Sequence, residues 1–305
     1  MKKWILKAII QKAISLLPYR HQINHLFQKY VTGGVHLSDA YLEDKLIHFQ
    51  KHSIFFEGAG AGPAERNLLE LGTGWYPIVP ICFFLSGARR ITTVDISPFL
   101  TKEKLRLSIH KLVALNAAGQ LEKYLKPLPD RWDTLLSLDK GPGQNLEEIL
   151  EQLHIRYLIA DARALPMDAN SVDLIISNNT FEPIYPEILE RILQEFQRVL
   201  KSGGLMSHFI DMSDHFAHLD PSITIYNFLR FSKERWAWID NSIQPQNRWR
   251  ILHYRHLYAK LGIRIAQEEN RPGDLEQLRS VPIHPDFSGI PEADLAVSHS
   301  YLLSH

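Results

Sequence analysis

The feature that most constrains this chain is an ordered alternation of short apolar runs with longer amphipathic ones. Residues 67–72, 91–96, 157–160, 172–177 and 205–210 read as strands, and 78–85, 98–118 and 186–200 as helices between them. Continuously apolar strands must be covered on both faces, and strands separated by helices pair in parallel. The pattern therefore predicts an α/β fold with a doubly wound, mostly parallel sheet. The loop Glu57-Gly-Ala-Gly-Ala-Gly-Pro63 closes a helical preface and puts a boundary near residue 60. Residues 1–60 are expected to form an N-terminal helical extension, and residues 61–305 one domain. Two insertions are expected in it, at about 119–153 and 212–260, the second aromatic-rich and helical, with two further strands at 262–266 and 295–302.

Charge and cysteine content remove several classes of function. Lys plus Arg (34) equals Asp plus Glu (34), so no global basic field exists to hold a phosphate backbone, and no nucleic-acid partner is expected. The lone Cys82 can form neither an intramolecular disulfide nor a thiolate metal cluster, which points to a reducing, cytoplasmic setting. No apolar run reaches the 18 or so residues of a membrane span.

Residues 1–38 nevertheless hold Lys2, Lys3, Lys7, Lys12, Arg20 and Lys29 with no acid, and the rest of the chain carries a net −6. Polar residues interrupt this segment, so it is expected to persist in the mature protein rather than serve as a cleaved signal. Written as a helix, it sets Lys3, Lys7, Gln11 and Ser15 on one face, while Trp4, Ile5, Ile9, Ile10, Ala13, Ile14, Leu16 and Leu17 cover the rest. Such a helix packs on the body of the protein or lies on an anionic membrane at its inner face, and both can hold at different times.

The chemistry-bearing residues sit where strands end. Leu69-Glu-Leu-Gly-Thr-Gly-Trp-Tyr-Pro77 leads from the first strand into a helix, and Gly72 and Gly74 let the backbone approach a ligand near that helix's free N–H groups. A dinucleotide fingerprint would want glycine where Pro77 stands. Asp95 ends the second strand, either as a ribose acceptor or as the N-cap of the next helix. Ala160-Asp-Ala-Arg-Ala-Leu-Pro166, Asp173-Leu-Ile-Ile-Ser-Asn-Asn179 and Val199-Leu-Lys-Ser-Gly-Gly204 follow in order.

With this series the chain resembles the class I S-adenosylmethionine-dependent methyltransferases over roughly residues 60–211. The resemblance implies a Rossmann-like sheet whose last strand is antiparallel, with S-adenosyl-L-methionine as cofactor. It implies that Glu70, Gly72 and Gly74 cradle the methionine end, that Asp95 holds the ribose hydroxyls, and that Asp161 accepts from the adenine amine beside the Ala162 backbone. Asn178 would lie near the sulfonium, and Tyr76 replaces a usual glycine, where its ring could wall the pocket. No metal is implied.

Methyl transfer to a hydroxyl benefits from a base, worth about 10² to 10⁴ in rate. His208-Phe-Ile-Asp-Met-Ser-Asp-His-Phe-Ala-His-Leu-Asp220 offers His215 ahead of His218, with Asp211 or Asp214 to fix a tautomer, and Glu182 stands second in rank. A metal reading of Asp211, His215 and His218 fits no strong motif. Arg230, Arg235, Arg248, Arg250 and Arg255, interleaved with Trp236, Trp238, Trp249, His253 and Tyr254, could line an anionic or glycosidic pocket or form an amphipathic cap. The expected activity is methylation of a small-molecule, glycan or lipid-linked acceptor at oxygen. An N- or C-methyltransferase, or a non-catalytic cofactor-binding partner protein, remains the alternative.

Overall fold

The structure is a computed structural model that describes residues 3–17, 36–141 and 143–305; Lys2, Arg20 and Lys29 lie outside them. It resolves into two compact units. A sheet unit comprises residues 37–178, 191–208 and 303–305, and a cap unit comprises 1–36, 179–190 and 209–302. The seven strands run β1 (Asn67–Leu71), β2 (Arg90–Asp95), β3 (Ile155–Ile159), β4 (Val172–Asn178), β5 (Leu200–Asp211), β6 (Ile265–Arg271) and β7 (His299–Ser304). Their order is β3-β2-β1-β4-β5-β7-β6, mostly parallel with one antiparallel pair, as the resemblance implied.

In the sheet unit β1 is central. It pairs in parallel with β2, Leu71 opposite Val94, and with β4, Leu71 opposite Ser177, while β3 lies outside β2 with Ile159 opposite Asp95. The register brings the ends of β1, β2, β3 and β4 to one edge, where ligands of open parallel sheets bind. Helix α1 (Lys3–Ser15) belongs to the cap unit, and α2 (Asp39–Gly58) starts the sheet unit, capped by Ser38, whose side chain accepts from Tyr41 N. Helix α3 (Ile78–Leu85) is buried along its whole length, which its sequence IVPICFFL requires. Phe49 of α2 meets Phe83 of α3 edge-on at 4.9 Å. Helix α4 (Lys102–Ala117) begins on a Thr101 cap, α5 (Pro129–Lys140) on a proline, and α6 (Leu146–Gln152) on the Asn145–Glu148 capping box. Helix α7 (Pro186–Val199) buries Leu189, Ile192, Leu193 and Phe196.

The cap unit adds α8 (Lys233–Ile239), α9 (Ile251–Lys260), α10 (Leu275–Arg279) and α11 (Glu292–Ala296). Its core gathers Trp4, Phe216, Tyr226, Phe228, Trp236 and Phe287. Three strands start well away from the sequence reading, β5 at Leu200 instead of 205 being one. Gly262 takes φ +69° and closes α9, its N–H reaching Ala259 O while Ile263 N reaches Tyr258 O, so β6 starts only at Ile265. Leu295 and Ala296 end α11, and β7 starts at His299.

Helix α1 forms where its periodicity placed it, and its buried side mixes Trp4, Ala8 and Ile14 with residues of the polar stripe. Gln11 and Ser15 are buried and Lys7 is half-buried, while Leu6 and Ile9 face solvent. The cause is a set of polar partners inside the cap unit: Trp4 N donates to Asp220 Oδ2, Gln11 Nε2 to Gln244 Oε1, and Lys12 Nζ to the carbonyls of Ala237 and Asp240.

Candidate active site

At the end of β1 the chain turns through Gly72 (φ +87°) and Gly74 (φ +62°), conformations that glycine adopts without a Cβ penalty. Asp95, at the end of β2, accepts from Gly74 N at 3.1 Å and from Ser97 N at 3.2 Å. It caps no helix, since α4 begins at Thr101; the N-cap alternative is set aside. Burial pushes its carboxyl up against the downward pull of these amides. Ile96, next in sequence, is 71% exposed, an apolar surface beside Asp95. Glu70 is buried and accepts from Thr93 Oγ1 at 2.8 Å, with Thr73 Oγ1 2.6 Å from the same hydroxyl. Burial pushes Glu70 up to about 8. Tyr76 is buried at the start of α3 and meets Tyr41 edge-on at 5.9 Å.

At the ends of β3 and β4, Asp161 is half exposed and gripped by a fork from Arg163, whose hydrogen bonds hold the carboxyl below its usual range. Ala162 is buried beside it. Asn178 Oδ1 lies 2.9 Å from His52 Nε2, and His52 Nδ1 lies 2.7 Å from Ser207 Oγ. An amide oxygen only accepts, so Nε2 carries the proton and Ser207 donates to Nδ1. Burial drops His52 to about 3, leaving it a neutral clamp. Sequence reasoning missed it because a histidine inside an apolar helix face carries no local signal.

In the cap unit, three imidazoles surround the Asp211 carboxylate at the end of β5. His215 Nε2 lies 3.9 Å and His218 Nε2 3.8 Å from Oδ2, and His299 Nε2 lies 3.4 Å from Oδ1, which also accepts from Ser213 N at 2.8 Å. Burial alone would push Asp211 up; His218, His299, His215 and Ser213 hold it well below the carboxylate range instead. Burial lowers His215 despite Asp211, whereas the nearby Asp211 carboxylate raises the exposed His218. His215 and His218 thus come together, with ring centroids 6.2 Å apart. Asp214 is turned away from them, buried on Asn227 Nδ2 (3.0 Å) and Phe216 N (2.8 Å), and burial pushes it up to about 6. His299, from β7, escaped the sequence reading because it lies far along the chain; the hint available was its place in an expected strand.

Glu182 is buried near Tyr254. Three of the expected substrate arginines are structural. Arg250, fully buried, donates to the carbonyls of Met212, Leu295 and Val297. Arg248 holds the carbonyls of Phe228 and Phe231, and Arg255 pairs with Glu268 and Asp294. Arg230 and Arg235 are exposed. Among the described residues no group of three His, Cys, Asp or Glu side chains could hold a metal ion.

A family model described as a methyltransferase domain matches residues 118–207, the stretch that carries β3, β4 and most of β5. Of the residues expected to hold the cofactor, Asp161, Ala162 and Asn178 lie within the matched stretch. Over that stretch the chain is similar to methyltransferase domains. No curated protein matches it in sequence. Among solved structures, a provisionally assigned sarcosine dimethylglycine methyltransferase from Galdieria sulphuraria is 16% identical over 85% of each chain, with TM-score 0.48. An S-adenosylmethionine-dependent methyltransferase from Mesorhizobium loti is 13% identical over 82% of this chain and 95% of that one, with TM-score 0.44. A geranyl diphosphate C-methyltransferase from Streptomyces coelicolor A3(2), solved with Mg²⁺, geranyl diphosphate and S-adenosyl-L-homocysteine, is 12% identical over 86% and 77%, with TM-score 0.45.

The residues at the strand ends fit S-adenosyl-L-methionine, the cofactor that the resemblance implies. A carboxyl that burial keeps protonated, Glu70, suits a cationic ligand; Asp95 offers acceptor oxygens bonded only to backbone amides. When bound, the cofactor supplies an electrophilic methyl group on a sulfonium.

Proposed function

We propose that this chain is a class I S-adenosylmethionine-dependent methyltransferase that acts on an oxygen of a small metabolite, a glycan or a lipid-linked acceptor, with His215 as base. The observation that carries the reading is Asp211 with three imidazoles around one carboxylate. Displacement at a methyl group is in-line, so most of the acceleration comes from alignment. The chain's own contribution is proton management. Burial keeps His215 neutral and able to take a hydroxyl proton, and Asp211 stabilises the imidazolium that forms. His218 and Glu182 are the next candidates. Glu70, Gly72, Gly74 and Tyr76 hold the methionine end of the cofactor, Asp95 the ribose, Asp161 and Ala162 the adenine, and His52 orients Asn178. The enzyme works in the cytoplasm, with contact at the inner face of the membrane through α1.

Radiolabelled methyl transfer to a panel of hydroxylated glycans, lipids and phenols tests this. Transfer to oxygen that rises with pH through the imidazole range, and is lost in His215→Ala, supports it. Transfer to nitrogen or carbon with an intact rate in His215→Ala overturns it.

A further inference from the structure

The buried side of α1 takes in the polar Gln11 and Ser15 beside Trp4, Ala8 and Ile14, and large apolar residues are left outward. With Gln11 held by Gln244 at 2.9 Å and Lys12 on the carbonyls of Ala237 and Asp240 at 3.0 and 2.7 Å, the helical period turns Leu6 and Ile9 outward, and Leu16 and Leu17 follow in the turn just past the helix end. They are 46, 55, 80 and 49% exposed. A surface helix ordinarily shows the reverse arrangement. Trp238, 79% exposed, stands one residue past the Ala237 carbonyl that Lys12 holds, and so flanks the same helix. Scattered apolar residues are normal on a surface, but four within the twelve residues 6–17, on a segment packed against the helix that carries an open tryptophan, gather exposed apolar area in one region.

The charges at its margin are mostly basic. Lys3, Arg230, Lys233 and Arg235 are exposed, against the exposed acids Glu234 and Asp286. Lys2, Arg20 and Lys29, outside the described residues, add to an acid-free segment.

We infer that the outer side of α1, together with Trp238, docks on an anionic lipid bilayer. This rests on reading α1 as a membrane contact, and it reverses which side meets lipid: the apolar residues enter the headgroup boundary, and the basic margin meets the anionic headgroups. Tryptophan suits that boundary, with an apolar ring body and a polar N–H. A second copy of the chain fits less well, because it would bring basic margin to basic margin.

The test is co-sedimentation of the full chain with phosphatidylcholine vesicles with and without phosphatidylglycerol. The wild type is expected to pellet with the anionic vesicles and to lose at least about tenfold in partition when Leu6→Ser, Ile9→Ser and Leu16→Ser are combined, since each removes apolar area from the lipid contact. Trp238→Phe is expected to abolish a vesicle-induced blue shift of the fluorescence. These side chains are exposed, so an unchanged circular dichroism spectrum accompanies the loss. Wild-type pelleting that survives the triple change but falls in Lys3→Gln overturns the apolar face and leaves a basic membrane contact standing. No pelleting of the wild type overturns both, and a dimer that the triple change dissociates gives the face to a second copy.

Discussion

Glu70 is the penultimate residue of β1 in the sheet unit and Asp211 closes β5 in the cap unit, and both carboxyls are largely shielded from water. Burial acts on both in the same direction, yet Glu70 is pushed up to about 8 while Asp211 is held well below the carboxylate range. The difference lies in what the chain places beside them. Glu70 takes its hydrogen bond from a threonine, whereas Asp211 has three imidazoles and Ser213. A buried acid among hydroxyls is left to be charge-balanced by a ligand; one among imidazoles is already balanced and tunes their protons instead.

The sharpest way to break that contrast is to remove the imidazole proposed as base. His215→Ala is expected to lower kcat by about 10² or more. Cofactor affinity should stay nearly unchanged, because the residues assigned to the cofactor belong to the sheet unit. A variant with wild-type turnover moves the role to His218 or Glu182.

Next in size is the removal of Asp95. Its two oxygens accept from backbone amides, among them Gly74 N and Ser97 N, which leaves lone pairs for ribose hydroxyls. Asp95→Ala should cost about 2–3 kcal/mol of binding, or tens-fold in Kd by calorimetry. Unchanged affinity in a folded variant removes Asp95 from the site.

The sheet-unit half of this comparison was legible in the sequence and the cap-unit half only in part. Motifs at strand ends are local: Leu69 to Pro77 dictates a strand, a glycine turn and a helix within nine residues, and burial on both faces fixes the register. His299 reaches Asp211 only through strand pairing, and His52 reaches Asn178 only through helix packing, so neither has a short-range signature. The inward turn of Gln11 and Lys12 likewise depends on partners more than 220 residues away. Periodicity gives the stripes of a helix but not the side that finds partners. Arg248 and Arg250 read as ligand-binding groups because their carbonyl acceptors are backbone atoms with no mark in the sequence.

A smaller change separates the carboxylate's role from the imidazoles it orients. Asp211 raises His218 and offsets part of the lowering of His215 by burial. Asp211→Asn removes that charge, so both imidazoles should titrate at lower pH, and the acid limb of the kcat profile should move to lower pH. Turnover is expected to fall by about tenfold, because the imidazolium loses its partner, and Asp211→Glu should restore part of it. A lower rate with an unmoved limb would make Asp211 a purely structural residue.

The smallest expected effect lies at Glu70 and concerns stability. Its folded value of about 8 stands above the ordinary 4.5, so the folded state binds this proton more tightly than the unfolded chain does. Its contribution to stability is therefore present at the acid end of that window and is lost as pH rises through it. Glu70→Gln cannot ionise and should flatten the loss: the thermal midpoint of the wild type should drop more steeply across the window than that of the variant. A cationic ligand favours the ionised carboxyl, so cofactor binding near neutral pH should release a proton. The calorimetric enthalpy should then depend on the ionisation enthalpy of the buffer in the wild type and lose that dependence in Glu70→Gln. If both proteins show the same buffer dependence, the proton comes from elsewhere, and Glu70 stays protonated beside its threonine whether or not the cofactor is bound.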